Sequence, residues 1–326
     1  MYGLVGLSLG FAAFLVIGGL GSLAVAAARP RRGYSLSPAE AGGQARSLFA
    51  LRLLPAAAGL VFAAGFYAPA YLLLEPRDTG ETVSPGLALL VVAAAALVFT
   101  GLRRGLKTWV AGRRLVAGWM RGARPLHLPG LALPAYGISH PFPVVAVVGM
   151  WRPRLFVAER VLAGLTGEEL AAVLAHEEGH LVARDNLRGL LLRCCPDPLA
   201  LLPIGDRLFR AWTEAAEAAA DEHSARAGSP RALALAGALV KVARMAPVGQ
   251  RASLPASAFH DGAAIVRRVK RLLDRTESKE AATSLLRTPR ALGTWAFLSV
   301  LALFGTSPLV LRAVHALTEA ALRLLR

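Results

Sequence analysis

The run HEEGH places two histidines four residues apart, at His176 and His180. On a helix this spacing puts both imidazoles on one face, about one turn apart, so both rings can reach one metal ion. Glu177, which lies between them, can hold and deprotonate a water at the open position of a Zn²⁺ ion. A five-residue match also arises by chance, and the alternative is a surface helix with two solvated histidines. The motif therefore predicts a metal site that still needs a third ligand.

That third ligand has to come from elsewhere in the chain. The metzincin pattern would place Gly at 183 and His or Asp at 186, but the chain has Ala183 and Asn186. Farther along, the run EAAAD puts Glu217 and Asp221 one turn apart on one face of a helix. Glu217 can bind the metal while Asp221 accepts a hydrogen bond from the far nitrogen of a ligand histidine. Glu214 is the competing ligand, although no acidic residue follows it at four positions.

The segments around these motifs predict mixed α and β structure. Two short strands are predicted at residues 144–148 and 154–157, joined by a turn. Thr166 is the predicted N-cap of the helix that carries HEEGH, because Glu168 and Glu169 follow it in the first turn. Later helices are predicted at 206–227, 231–245 and 265–273, and the proline-rich stretch 125–143 is predicted to be irregular or short extended structure.

The composition is that of a membrane protein. The chain has 326 residues, of which 55% are hydrophobic and 18% are charged, whereas soluble proteins carry about 25% charged residues. The apolar residues are concentrated in blocks that predict spans at 3–28, 53–74, 86–102 and 291–311. The predicted organisation is three transmembrane helices in 1–102, a peptidase domain in 103–290, and the fourth span with a short tail in 291–326.

The charges of the connecting segments predict the orientation. Basic residues are concentrated in the first loop and after the third apolar block, whereas the second loop is mainly acidic. The positive-inside rule then places the N-terminus outside and residues 103–290 in the cytoplasm. The net charge of +16 fits cytoplasmic loops of this kind. The basic groups at 103–124 and 267–275 are therefore expected to meet anionic lipid headgroups, and no direct nucleic-acid partner is expected.

The combination of HEEGHLVARD, a short apolar interval and EAAAD resembles the BlaR/MecR-type membrane zinc peptidases. The preceding run GMWRPRLFVAERVLAGLTGEELAAVLA and the run RRVKRLL are also similar to that family, so the resemblance covers essentially the whole chain. It implies a Zn²⁺ site whose ligands are His176, His180 and Glu217. Glu177 would be its general base, and Asp185 and Asp221 would be its two supporting carboxylates.

The fold implied by the resemblance is mainly α: a four-helix transmembrane bundle with an inserted cytoplasmic α+β, gluzincin-like zinc peptidase domain. The implied activity is site-specific endoproteolysis in signal transduction at a bacterial inner membrane. Its substrate would be a cytoplasmic regulator such as a transcriptional repressor, or the protein itself. Only a short tail follows Leu311, so the penicillin-binding sensor of the antibiotic-sensing members is not expected, and no particular oligomeric state is predicted.

Two alternatives remain open. The HtpX and CAAX-prenyl-protease type shares the two motifs, which would favour quality control of membrane proteins. In the HtpX type, spanning segments separate the motifs, whereas the interval 187–202 is too short and interrupted to span twice, although it could lie at the membrane surface. The alternative from another class is a non-catalytic membrane receptor or scaffold that keeps the site as a structural element.

Overall fold

The computed structural model describes residues 2–27, 41–76, 83–128, 131, 133–196, 198–246, 262–277 and 307–325. The chain begins with three long helices: α1 (Tyr2–Ala27), α2 (Ala41–Leu74) and α3 (Pro85–Met120). Each is long and apolar enough to cross a membrane, which is consistent with an integral membrane protein. The predicted fourth span, 291–311, lies outside the described residues apart from 307–311.

A small sheet follows, formed by β1 (Arg124–Leu126), β2 (Ala135–Ile138), β3 (Val145–Val148) and β4 (Arg154–Ala158) in the order β1-β2-β4-β3. Strands β2 and β4 are parallel, and the other two pairs are antiparallel. The strands predicted at 144–148 and 154–157 are confirmed as β3 and β4. Because β3 is the last strand of the sheet, one side of its backbone pairs with no strand of the described chain.

The remaining described elements are helical. They are α4 (Glu159–Gly164), α5 (Gly167–Ala183), α6 (Asp185–Cys194), a short 3₁₀ turn (Pro198–Leu201), α7 (Pro203–Ala225), α8 (Ser229–Met245), α9 (Gly262–Glu277) and α10 (Pro308–Leu325). Thr166 caps α5 as predicted: its hydroxyl accepts from the Glu169 amide at 3.3 Å, and the Glu169 carboxylate accepts from the Thr166 amide at 2.8 Å. This capping box fixes where the helix of HEEGH begins.

The main core lies between the sheet and the helices that carry the motifs. Leu155, Phe156 and Val157 of β4 are fully buried, in one cluster with residues of α5, α8 and α9. The last turns of α3 also pack against this cluster, through Leu115 and Trp119 among others. Apolar side chains at the end of α3 therefore contact the core, while the expected contact of the basic groups of 103–124 with lipid headgroups stays a prediction.

A second core joins the N-terminal helices to α7. It contains Ala45 and Leu48 from the first turns of α2, together with Leu208 and Trp212 of α7. The sequence placed the start of this span at residue 53, but the helix begins at Ala41. Its first turns are too polar to count as a membrane block, yet one face of them is apolar and is covered by α7.

Candidate metal centre

Helix α5 brings His176 and His180 together with Glu217 of α7. The two histidine Nε2 atoms lie 3.2 Å apart. Glu217 Oε2 is 3.6 Å from Nε2 of His176, and its Oε1 is 3.7 Å from Nε2 of His180. The ligand atoms of the three residues all lie within 4.8 Å of one another, so they could hold one metal ion. The structure thus brings together the three ligands that the sequence predicted.

The close crossing of α5 and α7 depends on Gly179, within the HEEGH run. A Cβ added at Gly179 would lie 3.0 Å from the Ala220 Cα and 3.1 Å from the His223 Cβ. These distances are shorter than ordinary carbon contacts, so the helices approach as closely as they do because this position has no side chain. The approach allows the short Glu217 side chain to reach both histidines.

Replacing Gly179 by valine is expected to weaken metal binding roughly 5- to 150-fold. Overpacking of this kind costs about 1–3 kcal/mol, and here it would destabilise the metal-binding arrangement, in which α7 lies close to α5. The measurement is Zn²⁺ affinity of the purified protein, with Gly167→Val as the control, because a Cβ at Gly167 on the same helix meets nothing within 4 Å. Equal affinities of the two variants would contradict the role assigned to Gly179.

A carboxylate contacts the outer nitrogen of each histidine. Asp221 Oδ1 lies 3.0 Å from His176 Nδ1, and Asp185 Oδ2 lies 2.8 Å from His180 Nδ1. Asp185 can reach back because Arg184, at φ 55°, adopts the left-handed conformation that ends α5 and turns the chain into α6. A carboxylate that accepts the Nδ1 proton leaves the Nε2 lone pair directed at a metal.

Neighbouring charges at the centre shift the pKa values of His180 and Asp221. Burial lowers the pKa of His180, but its hydrogen bond to Asp185 and the charges of Glu217 and Glu177 outweigh burial and raise that pKa to about 9. A metal at His180 therefore has to displace a proton. Burial raises the pKa of Asp221, but the Arg268 guanidinium prevails and holds it well below its ordinary value, so Asp221 stays ionised.

Glu177 lies buried beside the three ligands and contacts the edge strand. Its Oε2 accepts a hydrogen bond from the Val147 amide of β3 at 3.1 Å. Burial raises the pKa of Glu177, while the neighbouring His180 and His176 act in the opposite direction. A carboxyl group with a raised pKa is better matched to accept a proton from water and to return it.

The donor set fits a zinc ion. Two imidazoles and one carboxylate are a ligand set that catalytic Zn²⁺ takes, with a fourth position left for water. Glu217 Oε2 is buried and lies 3.6 Å from His176 Nε2, and it also forms an ion pair with Arg268 Nη1 at 3.0 Å. His176, His180 and Glu217 are therefore compatible with Zn²⁺.

The centre opens into a large cleft. The cleft has a volume of about 1260 Å³, and its walls come from α3, the β3–β4 hairpin and helices α5 to α7. Leu115 and Val116 of α3 line the same cleft as His176 and Glu177. The cleft can therefore admit an extended peptide and is partly lined by a helix that could cross the membrane.

Comparison with known protein families agrees with this geometry. The model of peptidase family M48 matches residues 123–320, which is more than half of the chain. The chain belongs to peptidase family M48. The matched part of this M48 peptidase includes the sheet, both motif helices and α9, and the family is one of metallopeptidases. No curated protein and no solved structure matched. The finer assignment to the BlaR/MecR type is not confirmed by this match and remains a prediction.

Two acidic residues of the motifs lie apart from the centre. Glu214, the competing ligand, is exposed, and its Oε1 lies 3.6 Å from Nη2 of Arg267. Glu178 is exposed and lies 3.8 Å from His223, beside the crossing of α5 and α7. Of the two candidate ligands on α7, only Glu217 is grouped with the histidines.

Arg268 is the main residue of the centre that the sequence reasoning missed. Its segment was predicted to meet headgroups, but its side chain is only 2% exposed and lies against Asp221. The sequence held a signal for this position, because Ile265, Arg268 and Leu272 follow at helical spacing and all three are buried. A charge on the apolar face of a helix requires a buried partner, and the acidic residues of EAAAD were available.

Asn186 occupies the position at which the metzincin pattern would place a His or Asp ligand. Its Nδ2 donates to the carbonyls of Val147 at 2.9 Å and of Gly149 at 3.3 Å. It therefore holds the end of the edge strand beside Glu177. No sequence pattern indicated this contact, since it joins residues far apart in the chain.

Proposed function

We propose that this M48 peptidase is a membrane-embedded zinc endopeptidase with its active site at HEEGH. The observation that carries the proposal is the convergence of His176, His180 and Glu217, with Glu177 buried beside them. The proposed orientation has the N-terminus outside and the peptidase domain in the cytoplasm, at a bacterial inner membrane.

The roles of the residues follow from their positions. His176, His180 and Glu217 would hold the metal, and bound Zn²⁺ supplies polarisation of a peptide carbonyl and acidification of a water molecule. Glu177 would take a proton from the attacking water and pass it to the leaving amine. Asp221 and Asp185 hold the outer nitrogens of the histidines, which fixes the tautomer that binds metal.

The substrate is proposed to bind as an additional strand on β3. Val147 turns its amide to Glu177 and its carbonyl to Asn186, both away from β4, so this side of the strand faces the centre. Because Glu177 and Asn186 occupy the outward amide and carbonyl of Val147, a substrate peptide would pair with the outward backbone groups of β3 on either side of Val147. It would be held extended beside Glu177, and its side chains would enter the cleft. Backbone pairing of this kind is largely independent of sequence, so the cleft walls would determine specificity.

For the biological role, we propose cleavage of a cytoplasmic regulator such as a transcriptional repressor, or of the protein itself, in signal transduction. Quality control of membrane proteins is the second candidate, and the apolar wall that α3 contributes to the cleft favours it. Quantitative proteomics of wild-type and Glu177→Gln cells separates the two. Accumulation of one regulator supports signalling, accumulation of many membrane proteins supports quality control, and no change supports a non-catalytic scaffold.

Removing the metal is expected to abolish proteolysis, and adding Zn²⁺ is expected to restore it. The reason is that the described residues of the centre offer a base and metal ligands but no nucleophilic side chain of their own. The measurement uses the full-length protein in lipid nanodiscs with a peptide library, and cleavage is followed by mass spectrometry before and after chelation. Cleavage that persists in demonstrably metal-free protein would refute the zinc mechanism.

A further inference from the structure

Arg268 connects helix α9 to the candidate metal centre. Its Nε lies 2.9 Å from Asp221 Oδ2 and its Nη2 lies 2.6 Å from Asp221 Oδ1, so the guanidinium binds this carboxylate with two parallel contacts. Its Nη1 lies 3.0 Å from Glu217 Oε2. Nη2 is also 3.4 Å from both ring nitrogens of His176. One side chain of α9 thus touches two candidate ligands, Glu217 and His176, and the carboxylate of Asp221 that supports His176.

The position of the guanidinium suits both carboxylates at once. Asp221 and Glu217 are one turn apart on α7, and the flat fork of Arg268 reaches the first with Nε and Nη2 and the second with Nη1. An ammonium group is a compact point charge and cannot contact two carboxylates in this way. The contact with Oε2 sets the plane of the Glu217 carboxylate, whose Oε1 faces His180.

We propose that Arg268 is a positioning residue through which α9 holds Glu217 and Asp221 in the orientation that receives the metal. The inference rests on the proposed zinc site. Since Arg268 belongs to α9, the packing of α9 and the filling of the site are coupled. The coupling is reciprocal: a packed α9 raises the metal affinity, and bound metal holds α9 in place by the same factor.

The first test measures Zn²⁺ affinity of the full-length protein in nanodiscs, by competition with a chromophoric chelator. Arg268→Lys and Arg268→Gln are expected to bind Zn²⁺ about 10- to 100-fold more weakly, the range for loss of an outer partner of a metal ligand. The matched control is Arg267→Lys, since Arg267 is exposed and contacts Glu214 rather than the centre. Unchanged or tighter zinc binding by both Arg268 variants would overturn the inference.

The second test begins with the wild-type protein, so its first result does not depend on how the variants fold. Hydrogen exchange of the α9 amides is expected to slow when Zn²⁺ is added, and this zinc-dependent protection is expected to be lost in Arg268→Lys. A purely structural role would speed exchange equally with and without zinc. If the wild-type protein binds zinc but the exchange rates of its α9 amides do not change, the coupling alone is refuted. If the wild-type protein binds no zinc, both this inference and the zinc site are refuted.

Discussion

Glu177→Gln is expected to lower peptide cleavage about 10²- to 10⁴-fold and to leave the zinc content unchanged. The amide has the size of the carboxylate, and its oxygen can still accept the hydrogen bond from the Val147 amide, so the local structure is retained. What is lost is the ability to take a proton from water. The measurement is the cleavage rate with a peptide library, together with metal analysis of the same preparation.

The matched control is Glu178→Gln, the next residue on the same helix. Its carboxylate is exposed and 3.8 Å from His223, so it can act on the centre only weakly and through solvent. This variant is expected to keep the wild-type cleavage rate within about twofold, because an exposed ion pair is worth about 0–1 kcal/mol. If both variants, with equal zinc content, cleaved like the wild type, Glu177 would not be the general base.

The predictions that held were those set by local spacing. Two histidines four residues apart meet on any helix, and Thr166 followed by Glu168 and Glu169 predicts where that helix begins, whatever the rest of the chain does. The four-residue spacing of Glu217 and Asp221 likewise predicts that both side chains lie on one face of their helix. These features depend on the geometry of one helix, so a sequence is enough to find them.

The tertiary contacts could not be predicted in the same way. Arg268 is 47 positions from Asp221, and only the burial of its helix face distinguishes it from the other arginines of its segment. The role of Gly179 depends on how closely α7 crosses α5, and that distance is not encoded in either helix alone. The left-handed conformation of Arg184 occurs at a residue type that seldom adopts it, so no residue preference indicated the turn that brings Asp185 to His180.

The membrane helices illustrate a further limit of composition. Hydropathy finds the apolar part of a helix but not its ends, because polar turns can continue the same helix beyond the bilayer. Helix α2 therefore begins well before the predicted block, where Leu48 is buried against α7. Helix α3 likewise runs on to Met120, and its last turns line the cleft and join the peptidase core. The helices that would anchor the chain are thus also part of the structure around the site.

Glu217→Gln is expected to weaken Zn²⁺ binding by more than the 10- to 100-fold range that applies to outer partners, and to abolish cleavage. The variant loses the one anionic ligand of the set, while its shape is kept and the amide oxygen can still face Arg268. The metal-free variant should therefore remain folded. The measurements are zinc affinity by competition, cleavage of the peptide library, and thermal unfolding in the absence of metal.

Glu214→Gln provides the control, and it also decides between the two candidate ligands that the sequence offered. Glu214 lies three positions before Glu217 on α7, but its side chain is exposed and contacts Arg267. Wild-type zinc affinity is expected for this variant. The opposite result, in which Glu214→Gln loses zinc and Glu217→Gln keeps it, would mean that α7 presents a different face to α5. That rotation would also separate Asp221 from His176, so the same pair of variants tests the support of the histidine as well as the identity of the third ligand.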